Sequence, residues 1–176
     1  MTSCPPVLAV TVLGADRPGI VAELTAALAG LGGNLEDSTM TLLRGHFAMV
    51  VLVRTSHPVG DLVQVLAGIG ADGSLVVDVR AMPDGPPTGP RGAAFTLRVH
   101  GADRPGIVAA VTRVVADHGA TIIDLGTRLS RALYVLTAEL VLPADATPAR
   151  LEHDLAQVAV TLGVEIHLDA VDDDLL

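Results

Sequence analysis

The sequence has very few aromatic residues, no lysine and a single cysteine. Only Phe47, Phe95 and Tyr134 are aromatic among its 176 residues, and tryptophan is absent. A core must therefore be built from aliphatic side chains, and the 50% hydrophobic content is typical of a folded globular protein. The lone Cys4 excludes an internal disulfide, and its position beside a chain end predicts an incidental thiol rather than a nucleophile.

Basic residues are also scarce, since 11 arginines stand against 20 acidic residues and give a formal net charge of −9. The segments before and after residue 87 are both net negative. Nucleic-acid affinity rests mainly on phosphate neutralisation, so we expect no direct nucleic-acid binding and no attraction to an anionic membrane. The sequence also lacks a long apolar run and a secretory leader, which predicts a cytoplasmic protein.

A nine-residue segment occurs twice without change. Gly14 to Ala22 reads GADRPGIVA, and the same letters return from Gly101 to Ala109, 87 residues later. Between the copies, residues 83–92 contain four prolines and three glycines, which exclude helix and central strand. We therefore predict a first domain over 1–82, a linker over 83–92, a second domain over 93–171 and an acidic tail over 172–176.

Each copy predicts the element order βαββαβ. Short apolar or alternating runs indicate strands, and apolar residues at helical spacing, such as Ile20, Leu24 and Leu28, indicate helices that end near Gly32 and Gly119. The predicted strands are Val7–Leu13, Asn34–Arg44, His46–Arg54 and Leu75–Arg80 in the first copy, and Ala94–His100, Thr121–Ser130, Ala132–Leu142 and Val164–Leu168 in the second. The predicted second helices carry Leu62, Val65, Leu66 and Ile69, or Leu151, Leu155, Val158 and Leu162. This order is typical of the ferredoxin-like α+β fold, an antiparallel four-stranded sheet with two helices on one face.

One face of each predicted sheet has no helices over it. In the second copy this face should carry Thr96, Arg98 and His100, and in the first copy Ala9, Thr11 and Leu13. Uncovered faces and edges favour association. We therefore expect the copies to pack together and chains to form a homodimer.

The repeated loop between the first strand and first helix carries the candidate chemistry. Gly14 and Gly101 would permit a tight exit from the strand, Pro18 and Pro105 would occupy an early helical position, and Gly19 and Gly106 would allow a close approach. Free amides of the first helical turn could then bind a carboxylate, while Asp16 or Asp103 accepts hydrogen bonds from an ammonium group. A purely structural interpretation remains open, in which Asp is the N-cap and Arg17 and Arg104 are solvated.

These residues carry a family resemblance. A strand, then Asp-Arg-Pro-Gly-Ile-Val opening a helix, then Gly-Gly-Asn-Leu-Glu-Asp at 32–37, resembles the ACT domain, a regulatory module that binds small molecules. The tandem pair resembles the glycine cleavage system transcriptional repressor group. The resemblance implies a non-enzymatic protein that binds an amino acid at interfaces between ACT domains and modulates a partner. Transcriptional control of amino-acid metabolism is one role that it implies.

The resemblance also implies the ligand-contacting positions. They are Asp16, Pro18, Gly19, Ile20 and Asn34 in the first copy, and Asp103, Pro105, Gly106 and Ile107 in the second. Thr121 stands where the first copy has Asn34, and a threonine hydroxyl lacks the paired donor and acceptor of an amide. We therefore expect the first loop, with Asp16 and Asn34, to be the better site.

No pattern in the sequence indicates catalysis, a metal or a cofactor. The six histidines show no zinc-type spacing, and the repeated loop is neither a Walker motif nor a dinucleotide fingerprint. We predict that the chain is not an enzyme. Two alternatives stay open beside the amino-acid sensor: a ligand-free assembly module, and a detached regulatory subunit of an amino-acid or one-carbon metabolic enzyme.

Overall fold

The computed structural model describes residues 5–83, 89–130 and 133–171. The chain divides into two compact units, Met1–Pro86 and Pro87–Leu176. The first unit contains β1 (Val7–Ala15), α1 (Ile20–Gly30), β2 (Asn34–Leu43), β3 (His46–Arg54), α2 (Val59–Leu66) and β4 (Leu75–Ala81). The second contains β5 (Ala93–Ala102), α3 (Ile107–Asp117), β6 (Thr121–Ser130), β7 (Leu133–Leu142), α4 (Pro148–Leu162) and β8 (Val164–Ala170).

Each unit forms one four-stranded antiparallel sheet. The strand orders are β2-β3-β1-β4 and β6-β7-β5-β8, so the first strand of each unit lies between the third and fourth. The predicted ferredoxin-like α+β fold is therefore confirmed in both copies. The copies also share a bulge near the start of the second strand, between Leu35 and Asp37 and between Ile122 and Asp124.

The first helix of each unit packs on its sheet through three apolar side chains one turn apart. Ile20, Leu24 and Leu28 of α1 are buried, as are Ile107, Val111 and Val115 of α3. Both helices end as predicted, because Gly32 (φ 60°) and Gly119 (φ 69°) adopt the left-handed conformation that closes a helix C-terminus.

The second helix differs in length between the units. In the first unit α2 ends at Leu66, so the predicted helical residue Ile69 lies beyond the helix, although its side chain is still buried. Val65, expected on the buried face, is 44% exposed. In the second unit α4 extends to Leu162 and ends at Gly163, another glycine in the left-handed conformation.

Both sheets leave the face opposite the helices open. We call these surfaces the first and second open faces. Each consists of three rows, and each row contains four neighbouring residues, one from each strand. On the first open face the rows, read from β2 through β3 and β1 to β4, are Thr41-Ala48-Leu13-Val76, Thr39-Val50-Thr11-Asp78 and Asp37-Leu52-Ala9-Arg80. On the second they are Arg128-Val135-His100-Glu165, Gly126-Thr137-Arg98-His167 and Asp124-Glu139-Thr96-Asp169.

Several predictions fall partly outside the described residues. Cys4, residues 84–88 of the predicted linker, the strand start at Ala132 and residues 172–176 of the predicted tail belong to this group. The exact domain boundaries stay a prediction. Within the described ranges, no helix has the length and apolar character required to cross a membrane.

Candidate functional site

The repeated loop of the first unit is held by backbone hydrogen bonds on two sides. The amide of Ala15 donates to the carbonyl of Ser74 at 3.0 Å, and the amide of Asp16 donates to the carbonyl of Gly45 at 3.1 Å. The turn between β2 and β3 and the approach to β4 therefore fix the loop. Both anchors lie far from the loop along the chain, so no sequence pattern pointed to them.

The start of the helix differs from the expectation. Both α1 and α3 begin one residue after a glycine N-cap, Gly19 (φ 93°) and Gly106 (φ 94°), and neither has a side-chain cap hydrogen bond. The interpretation of Asp16 or Asp103 as N-cap is therefore wrong. Pro18 and Pro105 precede the cap instead of occupying an early helical position, because the left-handed glycine that follows each proline delays the helix.

The first glycine of each loop has a role different from the one expected. A Cβ on Gly14 would lie 2.1 Å from the Ser74 carbonyl oxygen, and one on Gly101 would lie 2.6 Å from Val164 Cγ1. Both glycines lie within their strands, so they allow close packing against the neighbouring strand rather than a tight exit. At Gly19 and Gly106 the space is open, since a Cβ on Gly19 would meet nothing nearer than Glu23 Oε1 at 3.6 Å and one on Gly106 nothing within 4 Å. The positive φ, which L side chains rarely adopt, is what favours glycine at both positions.

Arg17 and its surroundings form a small charged cluster beside the first loop. Its guanidinium donates to both carboxylate oxygens of Glu23, at 2.7 and 2.6 Å. This bidentate contact holds the pKa of the Glu23 carboxyl below its ordinary value. The pKa of Asp72 is also lowered, mainly because the Ser74 hydroxyl and amide donate to it, with a smaller contribution from the charge of Arg17.

The arginine of the second loop has a different partner. Arg104 Nη1 donates to the carbonyl of Leu162 at 2.9 Å, at the end of α4. The position equivalent to Glu23 is Ala110, so the ion pair of the first unit has no counterpart. Neither arginine is simply solvated, contrary to the structural interpretation of the loop.

The predicted ligand-contacting residues fall into three groups. The side chains of Asp16, Pro18, Asp103 and Pro105 are exposed at their loops, as are Gly19 and Gly106. Ile20 and Ile107 are 1% and 2% exposed and belong to the cores. A ligand at either loop would therefore meet the backbone of these isoleucines rather than their side chains.

Asn34 and Thr121 form the third group and lie away from the loops of their own units. Asn34 is paired with Arg54 at one end of β3, whereas Ala15, next to Asp16, is paired with His46 at the other end. The intervening length of β3 spans about 26 Å at roughly 3.3 Å per residue. Thr121 and Asp103 are separated in the same way along β7. Asp16 and Asn34 of one unit therefore lie too far apart to contact the same small ligand.

The described residues contain no group of three or more His, Cys, Asp or Glu side chains arranged to hold a metal ion. His100 and His167 approach each other on the second open face, with ring centroids 6.4 Å apart. On the first open face, side chains including Thr11, Ala48 and Val50 line a shallow depression of about 320 Å³. Sequence reasoning had noted the open face but not this depression, because its concavity depends on which side chains stand side by side on different strands.

Comparison with known proteins agrees with the fold. A family model described as the ACT domain matches residues 7–79 and 94–169. The chain is 28% identical over 171 residues to the glycine cleavage system transcriptional repressor of Escherichia coli K12, covering 93% of this chain and 90% of that protein. It is also similar to a crystal structure of an unknown protein from Galdieria sulphuraria, with 32% identity, a TM-score of 0.77, and coverage of 95% of this chain and 99% of that one.

Proposed function

The chain belongs to the ACT domain family, and we propose that it is a non-enzymatic regulatory protein that binds a free amino acid where ACT domains meet. The observation that carries this proposal is the exposed carboxylate of Asp16 beside the open, amide-bearing turn at Gly19. A full-length relative named as a glycine cleavage system transcriptional repressor supports a role in the control of amino-acid metabolism.

The loop offers complementary groups for the two ends of an amino acid. Amides at the start of α1 have no partner within the helix and lie at the positive end of its dipole, which favours a ligand carboxylate. The carboxylate of Asp16 is exposed and has no hydrogen-bond partner among the described residues, so it is free to accept from a ligand ammonium group. Asp103 offers the same group at the second loop.

A second domain is needed to add the amide of Asn34. Within one unit Asn34 and Asp16 lie at opposite ends of the sheet, as shown above. The strand β2 is the sheet edge, so it can pair antiparallel with the corresponding edge of another ACT domain. Such pairing would bring the start of one edge strand to the same end of the combined sheet as the loop of the other domain.

We further propose that regulation runs through a protein partner and not through direct contact with nucleic acid. The net charge of −9 opposes binding to phosphates. Duplex DNA binding by the purified chain that weakens steeply with salt would contradict this part of the proposal.

Isothermal titration with each proteinogenic amino acid tests the proposal. Saturable binding of one or a few amino acids is the expected result. Silence across the whole panel would overturn it and favour the ligand-free assembly module.

The binding stoichiometry of variants then shows which residues share a site. Asp16→Ala, Asp103→Ala, Asn34→Ala and Thr121→Ala each remove one predicted contact. When two of these changes affect the same binding site, the number of ligand molecules bound per chain should be no lower in the double variant than in either single variant. A double variant of Asp16 and Asn34 that behaves as one site would establish their meeting across two domains.

A further inference from the structure

The two open faces have the same architecture and opposite chemistry. Twelve equivalent positions make up each face. On the first open face only three of them are ionisable, Asp37, Asp78 and Arg80. On the second open face eight of the twelve are ionisable, and Arg98 and Glu139 lie in its two central strands. The second face is thus suited to water, and the first is suited to burial.

Three apolar side chains of the first open face are exposed, whereas Ala9, Ala48 and Leu52 are half-buried. Leu13 is 58% exposed and Val76 is 70% exposed, with Val50 at 40%. Four strands about 4.8 Å apart and a shared length of seven residues give a face of roughly 20 by 23 Å. Two such faces in contact bury on the order of 1,000 Å² in total, which reaches the lower range of specific interfaces. One such face is comparable in area to the largest apolar patch of a typical monomer, which is often a functional surface.

The first open face is complementary in size to a second copy of itself. A two-fold axis parallel to the strands and between two such faces would place β1 over β3 and β2 over β4, with each row facing the same row. At the centre of two rows a larger side chain would then face a smaller one of the second copy, Leu13 with Ala48 and Leu52 with Ala9, and in the third row Val50 would face Thr11, which is of similar size. Alternation of large and small side chains is what close packing of two layers requires.

The same operation pairs two of the three ionisable positions with opposite charges and places the third, Asp78, opposite Thr39, whose hydroxyl can donate to a carboxylate. Asp37 and Arg80 lie at opposite edges of one row. The two-fold axis places Asp37 of one copy opposite Arg80 of the other, and does so twice. Arg80 is well placed for this, because its side chain is 79% exposed and its present contact is Asp78 on its own strand, at 2.7 Å. In the second open face the equivalent positions are Asp124 and Asp169. The same two-fold axis would place these two negative charges opposite each other.

We propose that the first open face is the homodimer interface of this protein, occupied by the same face of a second chain, and that the second open face stays in solvent. The ACT fold alone does not assign this role, since both units have it and only one has the matching side chains. The proposal needs no ligand and is independent of amino-acid binding at the loops.

Sedimentation equilibrium of the full chain, without added amino acid, tests the proposal. The wild type should approach twice its mass of 18.0 kDa. The double variant Thr11→Arg with Val76→Glu gives the first face the residues that the second carries at the equivalent positions, Arg98 and Glu165. Because the same fold accommodates them there, this variant should fold and should raise the dimer dissociation constant at least about a hundredfold.

A matched control and a charge exchange make the test specific. Thr137→Glu changes the position of the second face equivalent to Val50, and the mass should stay that of a dimer. Asp37→Arg and Arg80→Asp should each weaken the dimer, and the two changes together should restore it at least partly, because the pair is then reversed.

The proposal is overturned by any of three results. A wild type that is monomeric at every accessible concentration excludes the dimer. A folded Thr11→Arg, Val76→Glu variant that remains dimeric shows that another surface, such as a sheet edge, holds the chains together. Dissociation by Thr137→Glu as strong as that of the double variant assigns the contact to the second face. Titration of amino acids into the same variants reports separately on the loop sites.

Discussion

Replacing Asp16 by alanine separates a ligand contact from a structural role of the loop. The Asp16 side chain is exposed and does not cap α1, whose N-cap is Gly19. Substitution of an exposed side chain that caps no helix and packs in no core changes the free energy of unfolding by about 0.5 kcal/mol or less. In a unit of this size that corresponds to a shift in Tm of roughly 2–4 °C at most.

The expected effect on binding is much larger. If Asp16 accepts a hydrogen bond from a ligand ammonium group, its removal costs about 1.5–3 kcal/mol of binding free energy, or roughly ten- to a hundredfold in Kd. Isothermal titration and thermal denaturation of Asp16→Ala and Asp103→Ala measure the two quantities on the same samples. Asp16→Asn is the matched control, because it keeps the size and one acceptor oxygen but removes the charge, and it should lose less affinity than alanine.

Two outcomes would refute this reasoning. A large loss of Tm with unchanged affinity would mean that Asp16 supports the fold in spite of its exposure. Unchanged affinity and unchanged Tm in both alanine variants would remove the two aspartates from the site altogether.

Three further predictions concern the framework around the loops. Gly14→Ala should destabilise the first unit by about 3 kcal/mol, because its Cβ would meet backbone atoms of Leu75 in β4 and of Ser74 before it. Gly19→Ala is opposed only by the positive φ and should cost about 1–2 kcal/mol. Urea unfolding measures both losses. The pKa of Glu23 is lowered in the folded state by Arg17, so the pair stabilises the fold above the ordinary carboxyl pKa of 4.5, and this contribution disappears as the pH falls through the lowered value. The difference in Tm between wild type and Glu23→Gln should therefore shrink in acid, and a difference that grows in acid would contradict the assignment. Arg104→Ala should cost about 1 kcal/mol or less through the lost bond to the Leu162 carbonyl, measured as a lower Tm of the second unit.

The sequence predicted the fold well because the repeat allowed each weak pattern to be checked against a second copy. Residues such as Leu24 and Val111 share a helical register with their neighbours in both copies, and both are buried. The N-terminus of α1 was harder to predict. An aspartate two residues before a proline suggests a capped first turn, but the left-handed glycine after Pro18 moves the helix start to Ile20.

The candidate site was predicted only in part because motif residues that are close in sequence are not always close in space. Asp16 follows β1 and Asn34 begins β2, and these two strands run in the same direction on either side of β3. The end of one therefore lies far from the start of the other. The chemical contrast between the open faces was likewise missed, since it emerges only when Leu13, Ala48 and Val76 are placed in one row and compared with the row of His100.

The arginine of the repeated loop provides a last test of what the loop does. The backbone of the turn is nearly the same in both units, with φ and ψ of 93° and −8° at Gly19 and 94° and −4° at Gly106. The internal contact of the arginine is not shared, because Arg17 meets a glutamate side chain and Arg104 a helix carbonyl. A common internal partner therefore does not explain why both loops carry arginine. If the guanidinium instead assists binding at the loop, Arg17→Gln and Arg104→Gln should each weaken amino-acid binding at their own loop by about tenfold, as expected for a lost charge-assisted contact. Isothermal titration measures the effect, with Arg113→Gln, at an exposed position of α3, as the control for loss of one positive charge. If both loop variants bind as the wild type does and differ from it only in Tm, the arginines serve the internal contacts alone.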